Sequence, residues 1–471
     1  MKQYIHPILA VVLGVLIKVL LPAANGLTEI GVNVLAVLAM TVYLCIAVGT
    51  SWTSLLSIVL FVATGAVTAA EAFAGSMGHF SVTLTIACIA LCECMCVTGV
   101  TRRVAVWFIT RKAVQGRPYV FLTMLLLAFT VLGLFMETFA LLLVFVPIVT
   151  AVLDDLGCEK QEKFYKSIML GLLWMSAASM IATPISHPVI MIFVGYAEQL
   201  GYPISTAQWM AAGLPFAVVA FVLVMLVIRF VIRPDTTKFL RYDVTAVRQE
   251  PLSRQGKLTA VLFILVVVAW LLPTLVKNLL PGVAAFLLRM GDTAAPVLAV
   301  CLLCVLRVDG KPVVNFGEIA ARIPMPVVLF TGCIALMGTV INLPSTGISV
   351  WVTWLLSPLA EHLSPLALLF VLTVLAMVMT NFCSNTVVTL LFYSIGIPTL
   401  MVSDVNIYAA VFLLAVGGTI AYLTPPAAVM NSFLYGRGFL KVGESAGINI
   451  LMCLLLTAAA IILWPWFNFV L

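Results

Sequence analysis

Thr380-Asn381-Phe382-Cys383-Ser384-Asn385-Thr386 interrupts an otherwise apolar stretch at 366–400. Five of these seven side chains are hydroxyls or amides. In hydrocarbon such groups are costly unless they face protein, water or a ligand. A second interruption, Tyr422-Leu423-Thr424-Pro425-Pro426, lies within the apolar stretch 407–434. Two polar breaks inside spanning-length segments point to discontinuous helices, the device by which secondary transporters build a site near mid-membrane.

The rest of the composition fits that reading. The chain has 471 residues, of which 63% are hydrophobic and 9% charged, and its mean hydropathy is +1.22. These values exclude an ordinary soluble domain and indicate an all-α polytopic membrane protein. The longest polar stretch, 233–256, is too short for a soluble domain, and nucleic acid is not an expected partner. The 11 cysteines lack framework spacing, so no disulfide scaffold is expected. Cys92 and Cys96 share a helical face, but no histidine completes a ligand set nearby, so no metal and no cofactor is assigned. Met1-Lys2 and the apolar run behind it read as a transmembrane helix, because no small-residue cleavage site follows.

Apolar runs of spanning length place about eleven helices, near 4–21, 30–49, 53–71, 79–98, 165–200, 209–232, 257–276, 293–306, 323–343, 407–434 and 443–469. Two further regions, 119–152 and 364–400, are too long for one span and too interrupted for two, and each suits a re-entrant hairpin. With the N-terminus inside and both hairpins non-crossing, all but three of the 24 basic residues fall on the inside; the exceptions are Lys18, Lys277 and Arg289. The net charge of +6 is thereby a topology signal.

The chain divides into an extra helix (1–29), a first repeat (30–232), a cytoplasmic linker (233–256) and a second repeat (257–471). Each repeat has three spans, an amphipathic segment (about 101–115 and 347–362), a hairpin, a broken span and a final span. The first hairpin tip is expected near Phe135-Met136-Glu137-Thr138, and its broken span carries Thr183-Pro184-Ile185-Ser186-His187-Pro188. An odd number of crossings per repeat inverts the second relative to the first, the usual basis of alternating access.

With Ser384-Asn385-Thr386 at a hairpin tip followed by Thr424-Pro425-Pro426, the chain resembles the divalent anion:sodium symporter family and, more broadly, the ion transporter superfamily. The resemblance in layout covers about residues 30–471. It implies a homodimer in which a fixed scaffold domain carries a moving transport domain, with both hairpins and both broken helices in the mover. It also implies an elevator-like motion that carries a carboxylate with sodium. The amphipathic segments would lie at the membrane surface as arms, with lipid as their partner. Carried over by motif, one sodium site would use Thr380 and Asn385 with a carbonyl near Ala421. Ser384, Asn385, Thr386, Thr424 and Pro425 would face the substrate, with Thr138, Thr183 and His187 at the matching places in the first half. That half departs from the pattern. Met136-Glu137-Thr138, or Glu137-Thr138-Phe139 after a one-residue slip, stands where Ser-Asn-Thr is expected.

The residues add their own constraints. Every lysine and arginine is assigned to a loop or helix end, so a mid-membrane anion would depend on amides, hydroxyls, half-helix N-termini and a bound cation. Glu137 would repel an anion unless protonated or paired with a cation, which makes it a candidate coupling residue; the alternative is a carboxylate that merely faces water. His187 either titrates and donates to substrate or caps its own loop. Glu93 lies within a span and needs a partner from another helix. No metal triad, nucleophile elbow or phosphate loop supports an enzyme. The expected function is cation-coupled transport of a small organic anion, a di- or other carboxylate, with sodium as the leading cation. The alternative is a proton-coupled or exchange carrier of a different solute that uses Glu137 and His187. The expected location is a bacterial inner membrane with the N-terminus cytoplasmic.

Overall fold

The computed structural model describes residues 2–471 apart from 50, 185, 242, 244–250, 277–278, 353, 356–362, 383–384, 386–387, 389–391, 394–395, 398–399 and 402–403. The chain opens with α1 (Lys2–Leu20), α2 (Glu29–Ala47), α3 (Trp52–Ala63), α4 (Ala69–Gly75), α5 (Phe80–Val97) and α6 (Val100–Ile109). Then come α7 (Pro118–Gly133), α8 (Thr138–Asp155), α9 (Lys163–Ala182), α10 (Pro188–Gln199) and α11 (Thr206–Leu226). The second half holds α12 (Arg254–Val276), α13 (Pro281–Val305), α14 (Phe316–Arg322), α15 (Met325–Ile341) and α16 (Pro365–Thr380). It closes with α17 (Ile407–Thr419), α18 (Val429–Gly436), α19 (Val442–Ile462) and α20 (Trp464–Val470). Between α13 and α14 one two-stranded ribbon pairs Arg307 with Pro312 and Val308 with Lys311.

The protein is an all-α polytopic membrane protein. Among the described residues seven helices are long and apolar enough to cross a membrane, and α14 and α15 form a bent pair at 66°. The remaining apolar helices are shorter, as expected where spans are broken or re-entrant: α7, α16 and α17 each run for less than a full crossing. Caps account for many of the ends. Thr28 accepts from Gly31 N at 3.0 Å to start α2. Ser205 and Gln208 form a capping box at α11.

One span differs from its sequence reading. The hydropathy signal begins at 293, yet α13 extends back to Pro281. Arg289 and Asp292 depress the apolar signal there, and Gly291 adopts φ 70°, so two helical pieces meet at a kink.

The described side chains pack into three cores. The largest joins α7–α11 to α16–α20 and so contains both hairpin regions and both broken spans. A second is built by α2, α3, α4 and α15. A third joins α5 to α12, α13 and α14. In the largest core α9 is the axle, since every residue from Ser167 to Ala182 is buried. Without a hydrophobic drive in lipid, close backbone approach does much of the packing. A Cβ on Gly213 of α11 would lie 2.4 Å from the Ala182 carbonyl, and one on Gly417 of α17 2.6 Å from the Thr373 carbonyl. Ion pairs join helix ends and loops that the charge distribution assigns to one face: Lys166 with Glu444 at 2.5 Å, Lys238 with Glu162 at 2.6 Å and Arg254 with Asp309 at 3.7 Å.

Candidate functional site

The second tip begins where α16 ends. Thr380 is fully buried, and its hydroxyl lies 2.9 Å from Asn385 Oδ1 and 2.7 Å from the Gly418 carbonyl. One hydroxyl proton cannot serve both acceptors. Three oxygens therefore converge around a single donor, the kind of donor set that suits a hard cation. Ala421, 3% exposed, follows in the unwound segment directly after α17. Ser384 and Thr386 lie outside the described residues; Asn385 between them is helical and buried.

Asn381, the next residue after Thr380, clamps the tip to the second broken span. Its amide nitrogen donates to the Met377 carbonyl at 2.7 Å and the Ile420 carbonyl at 2.9 Å. Its side-chain oxygen accepts from Tyr422 N at 2.8 Å and Leu423 N at 3.0 Å. The Thr424 hydroxyl donates to the Asn381 carbonyl at 2.6 Å. The Pro425 carbonyl takes the Ser432 hydroxyl at 2.6 Å, and the Thr424 carbonyl takes the Asn431 amide at 2.9 Å. The proline-broken strand between α17 and α18 is thus satisfied by side chains where a helix would have used its own backbone.

The first tip repeats the tether with different residues. Leu134 caps the end of α7 as Asn381 caps the end of α16. The Thr183 hydroxyl donates to the Leu134 carbonyl, the counterpart of Thr424 to Asn381. Each threonine begins a Thr-Pro pair, and each stands five residues before its half-helix, α10 or α18. Counting from the two caps aligns Glu137-Thr138-Phe139 with Ser384-Asn385-Thr386, the slipped register. In place of Thr380 stands Gly133, where a Cβ would lie 2.6 Å from Ser179 Oγ.

Glu137 caps α8, accepting from Ala140 N at 2.8 Å. A carboxylate already occupies the helix N-terminus that would otherwise attract an anion. With Ser186, Thr85 and Cys92, Glu137 lines a cavity of about 10 Å³, the size of one water centre. The Ser186 hydroxyl turns back to the Met180 and Thr183 carbonyls. The His187 ring accepts from Val189 N at 3.2 Å through Nδ1, which puts its ring proton on Nε2 and makes it a cap for α10. Thr138 is fully buried, and its hydroxyl has no partner among the described residues.

Sequence reasoning missed the polar web behind the second break. Tyr422 donates to the Trp174 carbonyl at 3.0 Å, and Trp174 donates to Asn449 Oδ1 at 2.9 Å. Asn449 in turn donates to the Tyr422 carbonyl at 2.9 Å and to Tyr435 Oη at 2.7 Å. The intramembrane Asn449 was the available signal. Glu93 meets Arg322 of α14 at 3.9 Å, outside both tips.

The sequence model of a family described as citrate transporter matches residues 34–417. The sodium-dependent dicarboxylate transporter SdcS of Staphylococcus saprophyticus is 25% identical over 340 residues, which cover 68% of this chain and 63% of that protein. The chain therefore spans less than two thirds of that relative's length. An uncharacterized transporter of Methanocaldococcus jannaschii is 23% identical over 327 residues, 68% of each chain. Among solved structures, the YdaH transporter of Alcanivorax borkumensis matches with a TM-score of 0.58 at 12% identity, over 87% of this chain and 88% of its own. That likeness is one of fold.

Proposed function

The chain belongs to the citrate transporter family, matched over 34–417, and on that premise we propose that it moves a small carboxylate across the membrane by coupling it to a cation, with sodium the favoured ion. It is an integral membrane transporter of the divalent anion:sodium symporter kind and not an enzyme. The observation that carries the proposal is the convergence of Thr380 Oγ1, Asn385 Oδ1 and the Gly418 carbonyl on one proton. A sodium ion with oxygen ligands answers that excess of acceptors, and the Ala421 carbonyl is close enough in sequence to join it. The bound cation would then neutralise a substrate carboxylate held by Ser384, Asn385 and Thr386. Thr424 and Pro425 would shape the wall opposite, and Thr138, Thr183 and His187 would border the site from the first half. Thr183 and Thr424 act first as tethers, so their share in binding is to hold the tip carbonyls in place.

The single core that unites both hairpin regions with both broken spans supports a rigid moving body and an elevator-like cycle. The other two cores would supply the scaffold and a homodimer contact. We propose a bacterial inner membrane from the compact sequence with its short loops, and a cytoplasmic N-terminus from the charge distribution.

A second reading has its own observation. Glu137 holds the first tip's helix N-terminus and lines a small cavity, so a proton-coupled or exchange carrier would use Glu137 with His187. Succinate uptake into proteoliposomes under an inward sodium gradient, with potassium and pH-gradient controls, separates the two. Sodium-driven uptake supports the first reading. Uptake driven only by protons supports the second.

A further inference from the structure

Asp292 lies within the membrane-spanning helix α13, directly after the Gly291 kink. A carboxylate at such a position needs a partner. Its Oδ2 receives the Thr206 hydroxyl at 2.5 Å, and the carbonyl freed at the kink receives Trp270 Nε1 at 2.8 Å. Neither donor carries charge. Among the described residues no lysine or arginine forms an ion pair with Asp292. Glu198 at the end of α10 is near enough to add to the negative field.

Beside this carboxylate is a cavity of about 200 Å³, lined by Thr206, Trp270, Pro273, Phe286 and Leu298 among others. Apart from Asp292, Ser205 and Thr206, its walls are apolar. Phe286, Leu288, Met290 and Leu298 are exposed on the flank of α13 that borders the cavity. We infer that this cavity binds an alkylammonium group, with the ammonium on Asp292 and the aliphatic chain along α13. Charge and shape both select that chemistry. A neutral alcohol leaves the acid unpaired, and a carboxylate is repelled by it.

The site's position gives it a consequence. Thr206 begins α11, which packs in the core that holds both tips, whereas Trp270 belongs to the core of α5, α12, α13 and α14, and Asp292 lies on α13. An occupant bridges the two bodies and slows any motion between them.

The test is thermal unfolding of the purified full chain in detergent with octylammonium, octanol or octanoate at equal concentrations. Octylammonium is expected to raise the midpoint by roughly 5 °C near saturation. The other two should not, and Asp292→Asn should lose the response. Leu298→Trp, which fills the cavity and keeps the acid, should lose it as well and stands in if the first variant does not fold. The source of the amine is read from vesicles. A higher midpoint in phosphatidylethanolamine than in phosphatidylcholine, each mixed with phosphatidylglycerol, and no difference in Asp292→Asn, identifies a lipid headgroup. A response to octylammonium alone identifies a free amphiphilic amine. Equal shifts with octanol, or an amine effect that survives both substitutions, overturn the inference. None of these readouts depends on which solute is transported.

Discussion

At the second tip the residue that ends α16 hands over to Asn381; at the first, the residue that ends α7 hands over to Leu134. Both offer a main-chain carbonyl to the threonine of a Thr-Pro pair, so the two halves share one tether. Beyond it they part. The second tip adds an amide clamp and a crowded set of oxygens. The first has a glycine, a leucine and a carboxylate that caps its own helix. The backbone arrangement of tip and tether is therefore shared by both halves, while the crowded oxygens are confined to one.

The sharpest way to break this comparison is Asn381→Leu. It removes five hydrogen bonds, the weak one from Cys453 Sγ included, and leaves the buried Tyr422 amide and the part-buried Leu423 amide without their acceptor, at a cost of at least about 3 kcal/mol. Leu134→Ala at the matching place should cost only about 1 kcal/mol, since the tether there uses main chain. Thermal unfolding of the two variants in one detergent reads the difference, and equal losses would erase the distinction between the tips.

Next come the glycines. In Gly417→Ala the new methyl meets the Thr373 carbonyl, which cannot move aside, so a loss of about 2 kcal/mol is expected. In Gly133→Ala it meets Ser179, whose Oγ at 2.6 Å can rotate away but whose Cβ at 2.9 Å cannot, so a small helix shift and a loss of about 1 kcal/mol, smaller than at Gly417, are expected. Both are measured by the shift in unfolding midpoint.

Thr138→Val sharpens the comparison from the other side. The buried hydroxyl has no partner among the described residues, so its removal should be neutral or slightly stabilising in the absence of substrate, by up to about 1 kcal/mol. If Thr138 borders the site, uptake falls although stability does not. A parallel fall in both would mark the hydroxyl as structural.

The smallest effect is at the surface, where the Lys238 ammonium at 2.6 Å holds the Glu162 carboxyl below its ordinary value. A depressed carboxyl contributes stability above its unfolded value, near 4.5, and loses it as pH falls through the folded one. The unfolding midpoint of the unmodified protein should therefore decline more steeply below that pH than that of Glu162→Gln.

Much of this was legible in the residues. Hydropathy placed the spans because lipid leaves little choice of residue, and Pro184 and Pro425 marked the breaks because a helix cannot continue through them unaided. The role of Asn381 was not legible. A buried amide serves a ligand or a neighbouring backbone equally well, and only the position of Ile420 and Tyr422 decides. Thr183 and Thr424 read as substrate contacts for the same reason, yet their hydroxyls point to tip carbonyls. The link from Trp174 to Asn449 joins distant parts of the chain and leaves no local pattern. The start of α13 was hidden by Arg289 and Asp292, which lower the apolar signal of a helix that tolerates them at a kink.

The central claim is that the cation sits at the second tip, and the sodium dependence of succinate uptake in Thr380→Val and Thr380→Ser proteoliposomes tests it most directly. The account predicts that valine raises the half-saturating sodium concentration about tenfold or more, in line with loss of one oxygen ligand, while serine stays close to the unmodified protein. Sodium dependence that is identical in all three proteins, or absent from them, would contradict it.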